Sequence, residues 1–129
     1  VSLLGVDVLL VDDEADARDL MQRVLADAGA HVRLAASARQ GYEAWRERVP
    51  HVLVSDIGMP EEDGYSLIGR IRHEESEHAR VPAIALTAFA GWEDRGRALL
   101  PGSQLHLPKP VEPAELLAAV ASFAGRTGT

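Results

Sequence analysis

Val8-Leu9-Leu10-Val11-Asp12-Asp13-Glu14 is the stretch on which the fold turns. Four consecutive apolar residues do not alternate as a half-exposed strand would. A run this short and continuous reads as a strand buried on both faces, the kind found in parallel sheets. The full run is Val6 to Val11, interrupted by Asp7, and it ends abruptly in three acids. Val52-Leu53-Val54 and Ala83-Ile84-Ala85-Leu86 repeat the buried pattern, and His31-Val32-Arg33-Leu34 and Leu105-His106-Leu107 are briefer strands.

Between these runs the period lengthens to that of a helix. Leu20, Met21, Val24, Leu25 and Ala28 predict a first helix, with Gly29 as its C-terminal stop. Ser37 with Gln40 three residues on predicts a capping box, opening a second helix with Gly41, Tyr42 and Trp45 on one face. Leu67, Ile68 and Ile71 mark a third helix, and a weaker helical segment runs from Glu93 to Leu100, ended by Pro101-Gly102. Leu116, Leu117, Val120 and Ala121 mark the last, with Pro113 near its first turn. Strand then helix, five times over, predicts an α/β fold: right-handed crossovers give a parallel sheet with helices on both faces.

With 129 residues, 47% hydrophobic and 26% charged, the chain is expected to be one globular domain over 1–129. Its core is expected over about 6–124, leaving Gly125-Arg126-Thr127-Gly128-Thr129 as a flexible tail, and any output domain on another chain or beyond these residues. The absence of cysteine excludes thiol catalysis, zinc-thiolate sites and iron–sulfur clusters. Asp and Glu outnumber Lys and Arg by 20 to 13, a net charge of −7, which argues against direct nucleic-acid binding because phosphate recognition needs surplus cations. No apolar run approaches the roughly 20 residues that span a bilayer, and Val1-Ser2-Leu3-Leu4-Gly5 does not read as a signal peptide, so a cytoplasmic setting is expected.

Ligands of such sheets bind outside the carboxyl ends of the strands. There the first strand ends in Asp12-Asp13-Glu14, the third in Asp56 and the fourth in Thr87, and the fifth is followed by Lys109-Pro110. Each piece has an ordinary use as well: acids favour a helix N-terminus, Asp56 can initiate a turn, and Lys109-Pro110 can be a plain loop. Convergence on one rim favours a single site. Two carboxylates about 4 Å apart repel by roughly 4 kcal/mol at an effective dielectric near 20, so the rim should bind protons or a cation. Oxygen-only ligands favour a hard ion such as Mg²⁺. The set suggests a Mg²⁺-dependent phosphoryl site, with Asp56 as nucleophile and Thr87 and Lys109 meeting phosphoryl oxygens.

The ordered set Val11-Asp12-Asp13-Glu14, Ser55-Asp56-Ile57-Gly58-Met59-Pro60 with Asp63-Gly64, Ala85-Leu86-Thr87-Ala88 and Pro108-Lys109-Pro110 resembles the receiver domain of two-component response regulators, from Val6 to about Phe123. The resemblance implies a flavodoxin-like (CheY-like) three-layer sandwich with strand order 2-1-3-4-5 and five helices. It implies that Asp56 accepts a phosphoryl group from a histidine kinase phosphohistidine, or from a histidine phosphotransfer domain, in a phosphorelay. Asp13 and Asp56 would contact Mg²⁺ (or Mn²⁺) directly, Asp12 mainly through water, and the Gly58 backbone carbonyl would complete the set. Thr87, Lys109 and the Ala88 amide would bind the phosphoryl group, and the Lys109-Pro110 bond would be cis. Such a domain catalyses only its own phosphorylation and dephosphorylation. It signals to a downstream partner through the face of the fourth helix, fifth strand and fifth helix, and the resemblance leaves open a homodimer formed on phosphorylation.

Some positions depart from the family pattern. An aromatic switch residue coupled to Thr87 is usual three residues before the lysine, and here that position is His106; the alternative is a partly exposed strand histidine. Gly58 and Phe89 occupy variable positions that influence phosphoryl lifetime, and Leu100-Pro101-Gly102-Ser103 points to an early stop of the fourth helix. Residues 58–65 and 86–90 resemble most the receivers attached to hybrid histidine kinases. Among rivals, a flavin protein would need a Ser/Thr/Gly-rich loop where this one is acidic, and a nucleotide hydrolase a Gly-Lys-Ser/Thr loop. An Asp-nucleophile phosphatase or phosphotransferase, and a receiver used purely as a binding module, remain as alternatives.

Overall fold

The computed structural model describes residues 2–59, 63–74, 80–87 and 105–125. Its elements run β1 (Asp7–Val11), α1 (Ala15–Asp27), β2 (His31–Ala35), α2 (Ala38–Glu47), β3 (Val52–Asp56), α3 (Gly64–Arg72), β4 (Ala83–Thr87), β5 (Leu105–Pro108) and α4 (Pro113–Phe123). The strands pair in parallel in the order β2-β1-β3-β4-β5. The helix predicted near 93–100, the residues Ala88 and Phe89, the 100–103 segment and the tail beyond residue 125 lie outside the described residues.

The continuous apolar runs became the buried strands expected of them. β3 and β4 are buried along their whole length and β1 from Val8 onward, while the edge strand β2 is only partly covered. Alternate residues feed two cores. Val8, Leu10, Val54, Ile84, Leu86 and Leu107 pack against Met21 and Leu25 of α1 and Leu116 and Val120 of α4. Leu9, Val11, Leu53 and Ala83 pack against Trp45 of α2 and Leu67, Ile68 and Ile71 of α3. Each fully buried Leu or Ile contributes about 1.5–3 kcal/mol.

The helix ends follow local chemistry. α1 stops because Gly29 takes φ +104, with Gly29 N–H donating to the Ala26 carbonyl at 2.9 Å and Ala30 N–H to that of Leu25 at 3.1 Å. A Cβ at Gly29 would also stand 3.0 Å from the Leu4 amide nitrogen, so both conformation and space favour glycine there. The capping box at α2 forms with one shift: Ser37 Oγ accepts from Gln40 N–H at 3.1 Å, but Gln40 Oε1 accepts from Ala36 N–H, one residue earlier than the usual partner. Gly41 and Trp45 are buried and Tyr42 is half-buried, as the predicted face required. Pro113 opens α4.

β3 ends in Asp56 and β4 in Thr87, as expected, and β5 runs to Pro108, because backbone pairing continues past the last hydrophobic side chain. One expectation needs correction. Leu20 does not join the buried stripe of α1. It is 56% exposed, since adjacent helical positions point about 100° apart and Met21 takes the inward direction.

Ser37→Ala should lower stability by about 1 kcal/mol, since it removes the α2 cap. Urea unfolding followed by circular dichroism checks this, and an unchanged midpoint would show the cap to be energetically idle.

Candidate functional site

Parallel pairing brings the carboxyl ends of the central strands to one rim. Register sets Val11 beside Ser55, Asp56 beside Leu86 and Thr87 beside Pro108. Asp56 and Thr87 are therefore the last residues of adjacent strands, Asp12 follows β1 directly and Lys109 follows β5. Asp12 is fully buried, Asp56 is 5% exposed and Thr87 is buried, while Asp13 stands open to solvent.

Oxygens of Asp12, Asp13 and Asp56 lie within 4.8 Å of one another. Lys109 Nζ sits between two of them, 3.3 Å from Asp12 Oδ2 and 3.4 Å from Asp56 Oδ1. Its backbone N–H donates to the Thr87 carbonyl at 2.8 Å, which ties the lysine loop to the end of β4, and the Lys109-Pro110 bond is cis. Asp12 Oδ1 accepts from Glu14 N–H at 2.9 Å, and Asp56 Oδ1 from Gly58 N–H at 3.3 Å. Glu14, the residue before α1, makes no side-chain cap, while Asp12 accepts from its N–H.

Burial pushes the Asp56 carboxyl above the usual range; the Asp12 charge adds to this and Lys109 only partly opposes it. For Lys109, burial alone would lower the pKa, but Asp56 and Asp12 outweigh it and hold the ammonium charged. One lysine against three carboxylates leaves two negative charges when all are ionised. An oxygen-only cluster with that deficit has the chemistry to hold a hard divalent cation.

The backbone around Asp56 is built for close approach. A Cβ at Gly64 would stand 2.3 Å from the Asp56 carbonyl oxygen, so only glycine lets the start of α3 lie against the end of β3. Gly64 N–H donates to the Ile57 carbonyl at 3.1 Å, and Asp63 caps α3 by accepting from Ser66 N–H at 2.9 Å. At Gly58, by contrast, an added Cβ would meet nothing within 4 Å among the described residues, so no close approach requires glycine there.

Of the residues singled out from sequence, Asp12, Asp13, Asp56, Gly58, Thr87 and Lys109 come together at the rim. His106 is half-buried in β5 opposite Ala85, on the strand parity shared with Thr87. Sequence reasoning missed Arg18, whose Nη1 donates to the Asp12 carbonyl at 2.8 Å. It also missed a cleft of about 380 Å³ lined by Glu14, Ala17, Leu20, Met21, Lys109, Pro110 and Val111. Leu20, exposed on α1, is part of its wall.

The family model described as the response regulator receiver domain matches residues 8–121. The chain belongs to the response regulator receiver domain family. The receiver is 45% identical over 122 residues to a 14.6 kDa protein of Leptolyngbya boryana, covering 95% of this chain and 92% of that one. It is 35% identical to the response regulator Rre1 of Synechocystis over 94% of its own length, but spans only 52% of that protein. Among solved structures it is similar to the receiver domain of the sensor histidine kinase PA1611 of Pseudomonas aeruginosa, which holds a magnesium ion in its active-site cleft: TM-score 0.86, 33% identity, 94% of this chain and 98% of the other.

Asp56 has a raised pKa in the fold, so proton uptake there stabilises the receiver, and that stabilisation is lost as pH rises through the raised value. Asp56→Asn, uncharged at every pH, should melt higher than wild type in EDTA at neutral pH. About 1 kcal/mol corresponds to roughly 3–5 °C for a domain of this size. The gap should close as pH falls through the raised pKa, and a thermal melt series in which Asn never exceeds Asp would remove the repulsion.

Proposed function

We propose that the receiver accepts a phosphoryl group from a phosphohistidine onto Asp56 in a Mg²⁺-dependent reaction, with Mn²⁺ able to substitute. The observation that carries this role is the convergence of the Asp12, Asp13 and Asp56 oxygens within 4.8 Å, with Lys109 Nζ 3.4 Å from Asp56. In the transfer, an Asp56 carboxylate oxygen forms the bond to phosphorus while the donor's P–N bond breaks, the imidazole leaving with the electron pair. Lys109 turns from the carboxylates toward an incoming phosphoryl oxygen, and the Thr87 hydroxyl and Ala88 amide donate to others. Bound Mg²⁺, held by Asp13, Asp56 and the Gly58 carbonyl, would neutralise charge on the phosphoryl group. An indirect role for Asp12 agrees with its oxygens being engaged by Glu14 N–H and Lys109.

The domain acts on itself rather than on a pool of substrate, and the Thr87–His106 pair would relay the change to a downstream partner, through the face of β5 and its flanking helices. The whole protein's setting is proposed to be cytoplasmic; among the described residues no helix is long and apolar enough to cross a membrane. The donor is proposed to be a histidine kinase or phosphotransfer domain that seats an apolar helix face in the cleft beside Leu20. Glu14 and Lys109 belong to both cleft and rim, so a partner lodged there reaches Asp56 directly.

Incubation with Mg²⁺ and acetyl phosphate, read by intact mass, should add one phosphoryl group to wild type and none to Asp56→Asn. No gain in wild type, or equal gain in the variant, would refute the acceptor role. Leu20→Glu should slow transfer from a phosphohistidine protein about tenfold or more while leaving the acetyl phosphate reaction unchanged. Equal rates from the protein donor would remove the cleft as its seat.

A further inference from the structure

We propose that Arg18 is a positioning residue that aims Asp13 into the metal pocket through the backbone of Asp12; this rests on the metal and phosphoryl role proposed above. The three carboxylates are not held alike. Asp12 is fixed by Glu14 N–H and Lys109, and Asp56 by Lys109 and Gly58 N–H. Among the described residues, no protein donor holds the Asp13 carboxylate, and Asp13 is exposed. The constraint that the protein places on it therefore comes through the backbone that carries it.

That backbone is pinned at one peptide. Asp12 N–H donates to the Ala35 carbonyl at 3.0 Å, extending the β1–β2 pairing one residue past the strand. The Asp12 carbonyl receives the guanidinium of Arg18, Nη1 to O 2.8 Å. Because the peptide unit is planar, fixing this carbonyl also fixes the N–H and the N–Cα axis of Asp13, leaving its own φ as the one backbone rotation that turns its side chain. A charged donor makes a shorter and stronger bond than a neutral one, which suits a tether on an otherwise open loop. Arg18 is itself anchored to that loop, its N–H donating to the Glu14 carbonyl at 3.0 Å. The side chain thus closes a ring from α1 back to the residue before Asp13.

Outer-shell groups that orient a metal ligand typically change affinity about 10–100-fold when removed. The test is Mg²⁺ affinity by titration calorimetry on wild type, Arg18→Met, Arg18→Lys, Asp13→Asn and the Arg18→Met/Asp13→Asn double variant, with melting in EDTA alongside. Arg18→Met should weaken Mg²⁺ about tenfold, Arg18→Lys should recover part of the loss, and EDTA melting should shift by only a few degrees. In the Asp13→Asn background, removing Arg18 should change affinity little, because the two act in series. If Arg18→Met lowers melting but binds Mg²⁺ like wild type, or weakens binding equally with and without Asp13, the positioning role is overturned. A wild-type protein that binds no Mg²⁺ would instead overturn the metal role on which it rests.

Discussion

Asp12, Asp13 and Asp56 are forced together by the way parallel strands end, and a single ammonium, Lys109, stands among them with its charge shared between Asp12 and Asp56. Bringing like charges this close opposes folding, and burial adds to the cost of the ionised Asp56, so its pKa is raised. The crowding persists because the apolar interiors of β1 and β3 fix where these strands reach the rim, with Asp12 and Asp13 just past the end of β1 and Asp56 the last residue of β3. The rest of the domain supports this arrangement. Two cores clamp the sheet from both faces, leaving the rim as the place where polar groups meet solvent.

α1 shows how one helix can serve both tasks. Met21 and Leu25 hold it to the sheet. Leu20 faces outward over the cleft that meets Lys109, and Arg18 reaches back to the peptide between Asp12 and Asp13. Fold, proposed partner seat and pocket geometry thus converge on its first turns. Gly64 plays the matching part at α3, where the missing side chain allows the helix to begin against the Asp56 carbonyl.

Much of this was legible from residue order. Continuous apolar runs told buried parallel strands from alternating ones, and acids placed just after them told where charge would collect. Gly29 and Ser37 announced helix ends because capping is local chemistry. What stayed hidden depends on contacts between distant segments or on which way a side chain turns. Leu20 fits an apolar stripe by spacing, yet Met21 takes the direction toward the sheet and Leu20 is left exposed. Arg18 carries no periodic signal, since its partner is a backbone carbonyl and not a side chain of matching type. The motif contained Gly64, but its reason, a 2.3 Å approach to a carbonyl on β3, is tertiary.

The rim's excess negative charge is proposed to hold a divalent cation beside one defined carboxylate, Asp56, that receives the phosphoryl group. The most direct measurement is reductive trapping: phosphorylate the receiver in Mg²⁺ with a phosphohistidine donor, reduce the acyl phosphate with borohydride, and sequence the peptides by tandem mass spectrometry. Homoserine at position 56 alone is the predicted result. Homoserine at position 12 or 13, or at none of the three, would contradict it.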